Sequence, residues 1–283
     1  MVGKGSASSF TSLRIWGSIG FLVPALLFFP FVHGKNPNFE LTVWYGAILS
    51  FISAAVTYRV IPSGTEVSKQ QSELPSVGAV KAILKPELRG FTICRFLTQI
   101  GIWIWYPFFP LYLKENGVDS SWIGPIINVG VLAEIVFAFY VSKVQISSGG
   151  RFIALIAALS VSARLILVSA FANNLLIVVL LQILHGPYIW AMFFRGTVYL
   201  TEHVEDRFRT SFLALNGIIF HGITRAIAGP IGGTVAMVAN SRGLDGLASA
   251  LFVGGVISGL GVIVSLFYIP ASETTILKTT RAN

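Results

Sequence analysis

Long apolar runs separated by short polar loops make up most of the chain. About 20 apolar residues in a helix cross the hydrocarbon core of a bilayer, and eight runs approach or exceed that length. In chain order they are residues 15–32, 41–58, 91–113, 122–141, 152–171, 174–194, 212–239 and 247–269. The pattern therefore predicts an all-α polytopic membrane protein with eight transmembrane helices.

The longest polar stretch divides these spans into two and six. It covers residues 59–89 and contains Pro62, Pro75 and Pro86, which is typical of a loop between two bundles. We therefore expect five parts along the chain. They are a cytoplasmic amino-terminal segment (1–13), two helices (14–60), a central cytoplasmic loop (61–89), a six-helix bundle (90–270) and a cytoplasmic tail (271–283).

Composition supports a membrane protein and excludes several other classes. Hydrophobic residues make up 54% of the 283 residues and charged residues only 11%. The net charge of +8 does not indicate nucleic acid, because the basic residues are spread through the loops. The single cysteine, Cys94, excludes an intrachain disulfide, and no Cys/His cluster has zinc spacing. We therefore expect no metal or cofactor.

The distribution of Lys and Arg predicts the orientation of the helices. If both termini and the central loop face one side, that side carries thirteen basic residues and the opposite side three, namely Lys35, Lys114 and Arg242. By the positive-inside rule the first side is cytoplasmic. We expect an integral protein of the plasma membrane, the inner membrane in bacteria, with both termini in the cytoplasm.

Glu134 is the acidic residue that lies deep in a span. Its span is residues 122–141, WIGPIINVGVLAEIVFAFYV, which also contains Asn128. At 1.5 Å per residue Glu134 lies roughly 18 Å from Trp122, near the middle of a core about 30 Å thick. A carboxylate at this depth costs several kcal/mol unless it is paired, protonated or hydrated, so its default interpretation is functional.

Three basic side chains within other spans can interact with that carboxylate: Arg164, His185 and Arg225. A carboxylate, an imidazole and a guanidinium at overlapping depths can handle a proton, because movement of the arginine changes the balance between the ionised and the neutral acid. The alternative is a static buried ion pair that only fixes helix packing.

Other polar and aromatic side chains are candidates for binding a solute. Gln182 lies one turn before His185 and shares its helix face. Asn128 lies in the span that contains the buried acid. Tyr106 belongs to an aromatic cluster late in the third span, residues 103–112. That cluster indicates an aromatic belt at the membrane interface, with a wall that stacks on the solute as the alternative.

Five segments resemble one branch of the major facilitator superfamily. This branch contains the lactose permeases, the nucleoside:proton symporters and the phenylpropionate permease-like proteins. RIWGSIGF (14–21) is similar to the start of its fifth helix, and YPFFPLYLKENGVDSSWIG (106–124) with VLAEI (131–135) to the seventh and eighth. SARLIL (162–167) resembles the ninth helix and LQILHG (181–186) the tenth.

The resemblance implies roles for five residues. Glu134 matches the eighth-helix glutamate that contacts substrate and links it to the proton in the sugar permeases. Arg164 matches the ninth-helix arginine that supports deprotonation, and His185 the tenth-helix histidine of that network. Arg14 matches a fifth-helix arginine implicated in substrate binding, and Phe21 an aromatic that stacks on the sugar ring.

Two departures from the family pattern change what the resemblance implies. Tyr188 stands where the lactose permeases place a proton-carrying glutamate, so Glu134, alone or with His185, would carry the proton. The chain corresponds to helices 5–12 of twelve, which implies a partial major facilitator fold with an incomplete amino-terminal bundle. The first four helices would be supplied in cis or in trans.

The leading interpretation is a secondary active transporter, here a truncated or partial chain, that couples protons to symport of a small sugar, nucleoside or aromatic acid. Glu134, Arg164 and His185 would couple the proton. The residues expected to bind the solute are Arg14, Phe21, Tyr106, Asn128 and Gln182.

Two alternatives remain: a remnant without transport activity and a membrane enzyme that acts on a lipid-linked substrate. The enzyme would need a cluster of acids and histidine at one membrane face. The one candidate is TEHVEDR (201–207), whose Glu202, His203, Glu205 and Asp206 could hold a metal. A solvated loop is the simpler interpretation of this segment.

Overall fold

The computed structural model of the chain describes residues 7–32, 40–60, 77–142, 149–171, 173–205 and 208–270. Within these ranges the backbone forms nine helices joined by turns. The helices are α1 (Ala7–Val32), α2 (Glu40–Val60), α3 (Val77–Ile83), α4 (Pro86–Glu115), α5 (Ser120–Ser142), α6 (Gly150–Ala170), α7 (Leu175–Glu202), α8 (Arg209–Ser241) and α9 (Gly246–Tyr268). The tail predicted for residues 271–283 lies outside the described residues.

The predicted all-α membrane fold is confirmed. In the described part of the chain, α2 and α5 to α9 are each long and apolar enough to cross a membrane. The other two predicted spans are also helical: α1 contains the apolar stretch Ile15–Leu27, and α4 is 30 residues long.

The end of the sixth predicted span differs from the sequence prediction. The sixth predicted span ends at residue 194, whereas α7 continues to Glu202 because buried residues extend beyond Arg195. Among them, the ring of Tyr199 packs 4.9 Å from the ring of Phe91. A helix with one buried face persists past the point where its sequence becomes more polar.

The segment predicted as a central loop also contains helical structure. Helix α3 buries Ala79 and Ala82, and Gly78 packs against the ring of Phe208. Pro86 lies in the first turn of α4, where a proline costs no hydrogen bond. The prediction took proline as a sign of a loop, although proline also begins helices.

Side-chain caps and glycines define the turns at one end of the bundle. Asn174 accepts a hydrogen bond from the backbone of Ile177 (3.1 Å) at the start of α7. Asp245 accepts one from Ala248 (2.9 Å) at the start of α9. Gly243, with a φ of 74°, lies in the turn after α8, because that conformation strains residues that carry a Cβ.

Small residues on α9 form the tightest helix contacts. A stripe of glycine and serine faces α4 and α6, and it comprises Gly254, Gly255, Ser258, Gly261 and Ser265. A Cβ built on Gly101 of α4 would clash with the hydroxyl of Ser258 and would lie 2.6 Å from the carbonyl of Gly254. Close backbone approach of this kind drives helix association inside a membrane.

Helices α1 and α2 lie at the edge of this bundle. Helix α1 packs mainly against α5. The hydroxyl of Tyr45 on α2 donates to the carbonyl of Pro24 on α1 (3.0 Å). No residue in the apolar window Val43–Val60 is buried. The site described below therefore depends on α1 and on α4 to α8, with α9 as support.

We expect Gly101→Ala to destabilise the bundle by about 1–3 kcal/mol, the usual cost of overpacking. The added methyl would force α4 and α9 apart, since it meets backbone as well as the Ser258 side chain. The measurement is thermal unfolding in detergent followed with a fluorogenic maleimide, which reports exposure of the buried Cys94 thiol.

Gly233→Ala is the matched control, because a Cβ there meets nothing within 4 Å. Equal melting temperatures for the two variants would contradict the packing described for α4 and α9.

Candidate functional site

Glu134 is held between α1 and α7. Of the acidic residues whose side chains the structure describes, it alone is buried. The hydroxyl of Ser18 on α1 donates to its Oε1 at 2.5 Å. The Nε2 atom of His185 on α7 lies 3.8 Å from its Oε2. The acid therefore contacts the helix at the edge of the bundle and a residue in its interior.

Arg164 is buried in the interior of the bundle and contacts three side chains, those of Gln182, Trp105 and His185. It is 1% exposed. Its Nε (3.1 Å) and one terminal nitrogen donate to the side-chain oxygen of Gln182. Its guanidinium carbon lies 4.1 Å from the ring centroid of Trp105. A buried charge needs such partners, because an unpaired one costs several kcal/mol.

The contact between Arg164 and His185 determines how the imidazole is oriented. One terminal nitrogen of Arg164 lies 3.1 Å from Nδ1 of His185. A guanidinium has only donors, so Nδ1 must accept, and the proton of the neutral ring is then on Nε2. That N–H is on the side of Glu134. The three residues form a chain in which arginine sets the tautomer that faces the acid.

A second polar network lies one turn further along α7. The hydroxyl of Tyr188 donates to the side-chain oxygen of Gln99 on α4. The amide nitrogen of Gln99 donates to the backbone carbonyl of Phe220 on α8 (3.2 Å). The indole of Trp103 (3.0 Å) and the hydroxyl of Thr224 (2.6 Å) donate to the same carbonyl.

Irregular backbone explains why that carbonyl is available. Residues Ile218–Ile223 of α8 form a π-helical segment, and so do residues Trp190–Arg195 of α7. Such segments shift the backbone hydrogen bonds by one residue, occur frequently at functional sites and leave carbonyls for side chains. The π-helical segment of α7 begins two residues after Tyr188, and that of α8 contacts Trp103 through the carbonyl of Phe220.

The proton-coupling residues predicted from sequence are brought together, but Arg225 is not with them. Glu134, His185 and Arg164 form one connected cluster. Arg225 instead lies with its guanidinium carbon 5.0 Å from the ring centroid of Trp103. The sequence predicts only that Arg225 lies at a depth similar to that of Glu134. Which residues face each other also depends on how α8 is rotated in the folded bundle.

The residues predicted to bind a solute are dispersed around the cluster. Gln182 is fully buried, and its amide nitrogen donates to the carbonyl of Val178 (2.7 Å), so both ends of its side chain have partners. Tyr106 is 46% exposed on α4, and Phe21 is 57% exposed on α1. Their roles in binding stay predictions.

The other two candidates for solute binding are Asn128 and Arg14. Asn128 is buried but lies six residues before Glu134 on α5, about 120° around the helix at 3.6 residues per turn. The side chain of Arg14 lies outside the described part of the structure. Its backbone is one turn before Ser18 on α1.

Sequence reasoning missed three partners in the site. Ser18 is the polar side chain that follows Arg14 within RIWGSIGF, four residues later. Residues four apart share a face of a helix, so this spacing could have identified Ser18 as part of the site. Gln99 was a polar residue in an apolar span. Trp105 was assigned to an interfacial belt, yet it is 2% exposed and lies against Arg164, because a buried cation attracts an aromatic face.

The segment considered for a metal-dependent enzyme shows other contacts. Nδ1 of His203 lies 2.8 Å from the carbonyl of Tyr199. Among the residues that the structure describes, which exclude Asp206, no group of three His, Cys, Asp or Glu could hold a metal ion.

In the part of the chain that the structure describes, a buried acid, an arginine and a histidine are joined inside a polytopic helical bundle, an arrangement that occurs in membrane transporters. Residues 2–242 match the MFS_1 like family. The chain belongs to this family and therefore to the major facilitator superfamily of membrane transporters. This assignment agrees with the superfamily predicted from sequence.

The chain is also similar to part of one curated protein. The chain is 25% identical over 189 residues to the multidrug resistance protein MdtG of Proteus mirabilis (strain HI4320). The aligned region covers 65% of this chain and 44% of MdtG. The chain thus spans less than half the length of the curated relative that it matches.

Replacing Gln182 with methionine tests whether it supports Arg164. We expect Gln182→Met to lower the free energy of unfolding by about 1–3 kcal/mol, because the buried guanidinium loses the acceptor of two hydrogen bonds. The measurement is thermal unfolding of the purified variant.

The control is Ile183→Met, which makes a similar change at the next residue, where the side chain is 51% exposed. A Gln182→Met variant as stable as the Ile183→Met variant would show that Arg164 does not depend on Gln182.

Proposed function

We propose that this protein is a proton-coupled symporter of a small solute, of the branch that contains the lactose permeases and nucleoside:proton symporters. One observation carries the proposal: Glu134 contacts Ser18 on one side and His185 on the other, and His185 in turn contacts Arg164. An acid held in this way can change protonation without leaving an unpaired charge in the membrane.

The mechanism assigns a different role to each residue of the cluster. Glu134 takes up and releases the proton. His185 offers Nε2–H to the ionised carboxylate, and Arg164 keeps the imidazole in that tautomer through Nδ1. Ser18 donates to the ionised acid, whereas a protonated acid can itself donate a hydrogen bond. The contact between α1 and α5 therefore differs between the two protonation states.

Transport would follow from movement of α1 relative to the bundle. In alternating access one group of helices rocks against another around a site near the midplane. Helices α1 and α2 belong to the moving amino-terminal part in this proposal, and residues 90–270 to the carboxy-terminal bundle. A change in the protonation of Glu134 would affect the amino-terminal part through the contact between α1 and α5.

The solute would bind beside Glu134. Phe21 and Tyr106 offer exposed rings, Arg14 offers a cation, and Asn128 offers an amide on the helix of the acid. Gln182 would act through Arg164, because its hydrogen-bonding groups have protein partners. We also propose an inner-membrane location with both termini in the cytoplasm, as the excess of basic residues on that side favours.

An exporter driven by proton exchange is the second candidate. The relative from Proteus mirabilis is named as a multidrug resistance protein, which favours it. The same acid would serve, since an antiporter binds proton and solute alternately. The direction of movement separates the two: an imposed inward proton gradient drives accumulation by a symporter and extrusion of a dye such as ethidium by an exporter.

We expect Glu134→Gln to abolish accumulation driven by the proton gradient while exchange of solute across the membrane continues. Glutamine keeps the size and hydrogen bonding of the protonated acid but cannot lose a proton. The assay uses cells that produce the transporter, labelled lactose, uridine and benzoate, and a pH gradient imposed in either direction.

Glu115→Gln at the exposed end of α4 is the control for loss of an acid, and it should accumulate solute normally. Uphill accumulation by Glu134→Gln at the level of the parent would refute the proton-coupling role.

A further inference from the structure

A tryptophan ring on α4 supports the buried guanidinium of Arg164. The guanidinium carbon lies over the ring of Trp105, 4.1 Å from its centroid. The hydrogen bonds of Arg164 are made with Gln182 and His185, which both belong to α7. Trp105 therefore holds Arg164 from a second helix, through the attraction between a cation and an aromatic face.

The indole N–H does not explain why a tryptophan occupies this position. Nε1 of Trp105 is buried and has no hydrogen-bond partner among the residues that the structure describes. A buried donor without an acceptor is unfavourable, and a phenylalanine would avoid that cost. Among the aromatic side chains, however, tryptophan attracts a cation most strongly. The contact of its ring with Arg164 accounts for the choice of residue.

Neighbouring aromatic side chains keep the ring of Trp105 in place. Phe109 is stacked on it with a centroid distance of 4.9 Å, and the ring of Tyr106 meets it edge-on at 5.1 Å. Trp105 and Phe109 are both buried. The ring is therefore a fixed support for the guanidinium.

The imidazole of His185 is also confined, from the side of α5. A Cβ built on Gly130 would lie 3.1 Å from Cβ and 3.4 Å from Cγ of His185, and one built on Gly186 would lie 2.7 Å from the carbonyl of Ala133. Helices this close leave the ring little room to move. Arg164 therefore acts on which nitrogen of His185 carries the proton, and less on where the ring lies.

The contact with Arg164 prevents His185 from taking up a second proton. The guanidinium donates to Nδ1 (3.1 Å), so the lone pair that would accept this proton is already in use. Without the contact, the imidazole could be protonated between about pH 5 and 8. An imidazolium 3.8 Å from Glu134 would stabilise the ionised carboxylate and oppose its protonation. The proton would then reside on His185 instead of Glu134.

The other ionisable side chains around these two residues come from three helices. They are Glu134 on α5, Tyr106 on α4 and Tyr188 on α7. Helix α9, which also packs on α6, contains no ionisable residue before its last one. Tyrosines lose their protons near pH 10, so at neutral pH the competition for a proton is between Glu134 and His185.

We propose that Trp105 is a positioning residue that directs the coupling proton to Glu134. Its ring holds Arg164 against Nδ1 of His185, which keeps the imidazole neutral with Nε2–H on the side of the acid. The proposal rests on the proposed proton-coupled transport, since it says which of two neighbouring groups takes up the proton. The protonation of His185 can nevertheless be measured without transport.

NMR of the purified chain in lipid, with isotope-labelled histidine, tests the proposal. The ring nitrogens report whether each carries a proton, and His185→Gln identifies the signals of His185 among the four histidines. Between about pH 5 and 8 we expect Nδ1 of the parent to stay unprotonated. In Trp105→Leu it should take up a proton over that range, and Trp105→Phe should be intermediate, because phenylalanine keeps a weaker aromatic face.

Phe91→Leu is the matched control for loss of a buried aromatic side chain from α4. Phe91 packs against Tyr199, outside the proton-coupling cluster. This variant should give the same His185 signals as the parent. Thermal unfolding of each variant checks that it is folded.

Fluorinated tryptophans at position 105 test the ring without removing it. Introduced through a stop codon, they keep the shape of the indole but weaken its attraction for a cation. Increasing fluorination should make Nδ1 of His185 progressively easier to protonate. This series decides the outcome if Trp105→Leu does not fold.

Transport should respond to the same variants, in the assay used for Glu134→Gln. Trp105→Leu should lower proton-driven accumulation about tenfold near pH 5, where the imidazole would be charged, and by less near pH 8. Phe91→Leu should accumulate solute normally at both.

Three results would overturn the proposal. They are protonation of Nδ1 in the parent between about pH 5 and 8, a folded Trp105→Leu variant whose His185 behaves as in the parent, and His185 signals that do not change with fluorination.

Glu134→Gln separates this inference from the proposed function. Normal accumulation by Glu134→Gln would refute proton coupling, while an Nδ1 whose protonation depends on Trp105 would leave the positioning of Arg164 and His185 standing. Loss of accumulation in Glu134→Gln, together with His185 signals that do not depend on Trp105, would do the reverse.

Discussion

A guanidinium buried inside a membrane-spanning bundle is the constraint on which the rest of this structure depends. Arg164 is 1% exposed, so its charge must be balanced by protein groups. Gln182 and His185 from α7 and the ring of Trp105 from α4 supply them. Helices α4, α6 and α7 must therefore keep one register relative to each other, and this register also places His185 beside Glu134.

The helices that surround Arg164 are closely packed on one side of the bundle and have irregular backbone on the other. On the closely packed side, the glycine and serine residues of α9 bring its backbone against α4 and α6, where added methyl groups would clash. On the other side, π-helical segments interrupt α7 and α8 and leave the carbonyl of Phe220 to the side chains of Gln99 and Trp103. The close packing holds the helices that carry Arg164 and its partners in place. The irregular backbone presents polar groups, and in the proposed function a solute would bind near them.

The contact between Ser18 and Glu134 links this fixed charge network to the helix at its edge. Helix α1 packs mainly on α5, and the hydrogen bond from Ser18 to Glu134 is a polar interaction between these two helices. The strength of that bond depends on whether the acid is ionised. In the proposed transport mechanism, this arrangement would make the position of α1 sensitive to a proton while Arg164 keeps its partners.

The sequence by itself determined the helices, their order and the buried acid. Apolar runs of membrane length and a lone intramembrane carboxylate are local properties, so Glu134, Arg164 and His185 could be selected before any packing was known. Only the tertiary structure decided that Ser18 contacts the acid, that Trp105 lies against Arg164, and that Arg225 lies elsewhere with Trp103. The physical reason is that depth along a helix follows from residue number, whereas the neighbour of each side chain depends on how the helices are rotated and packed.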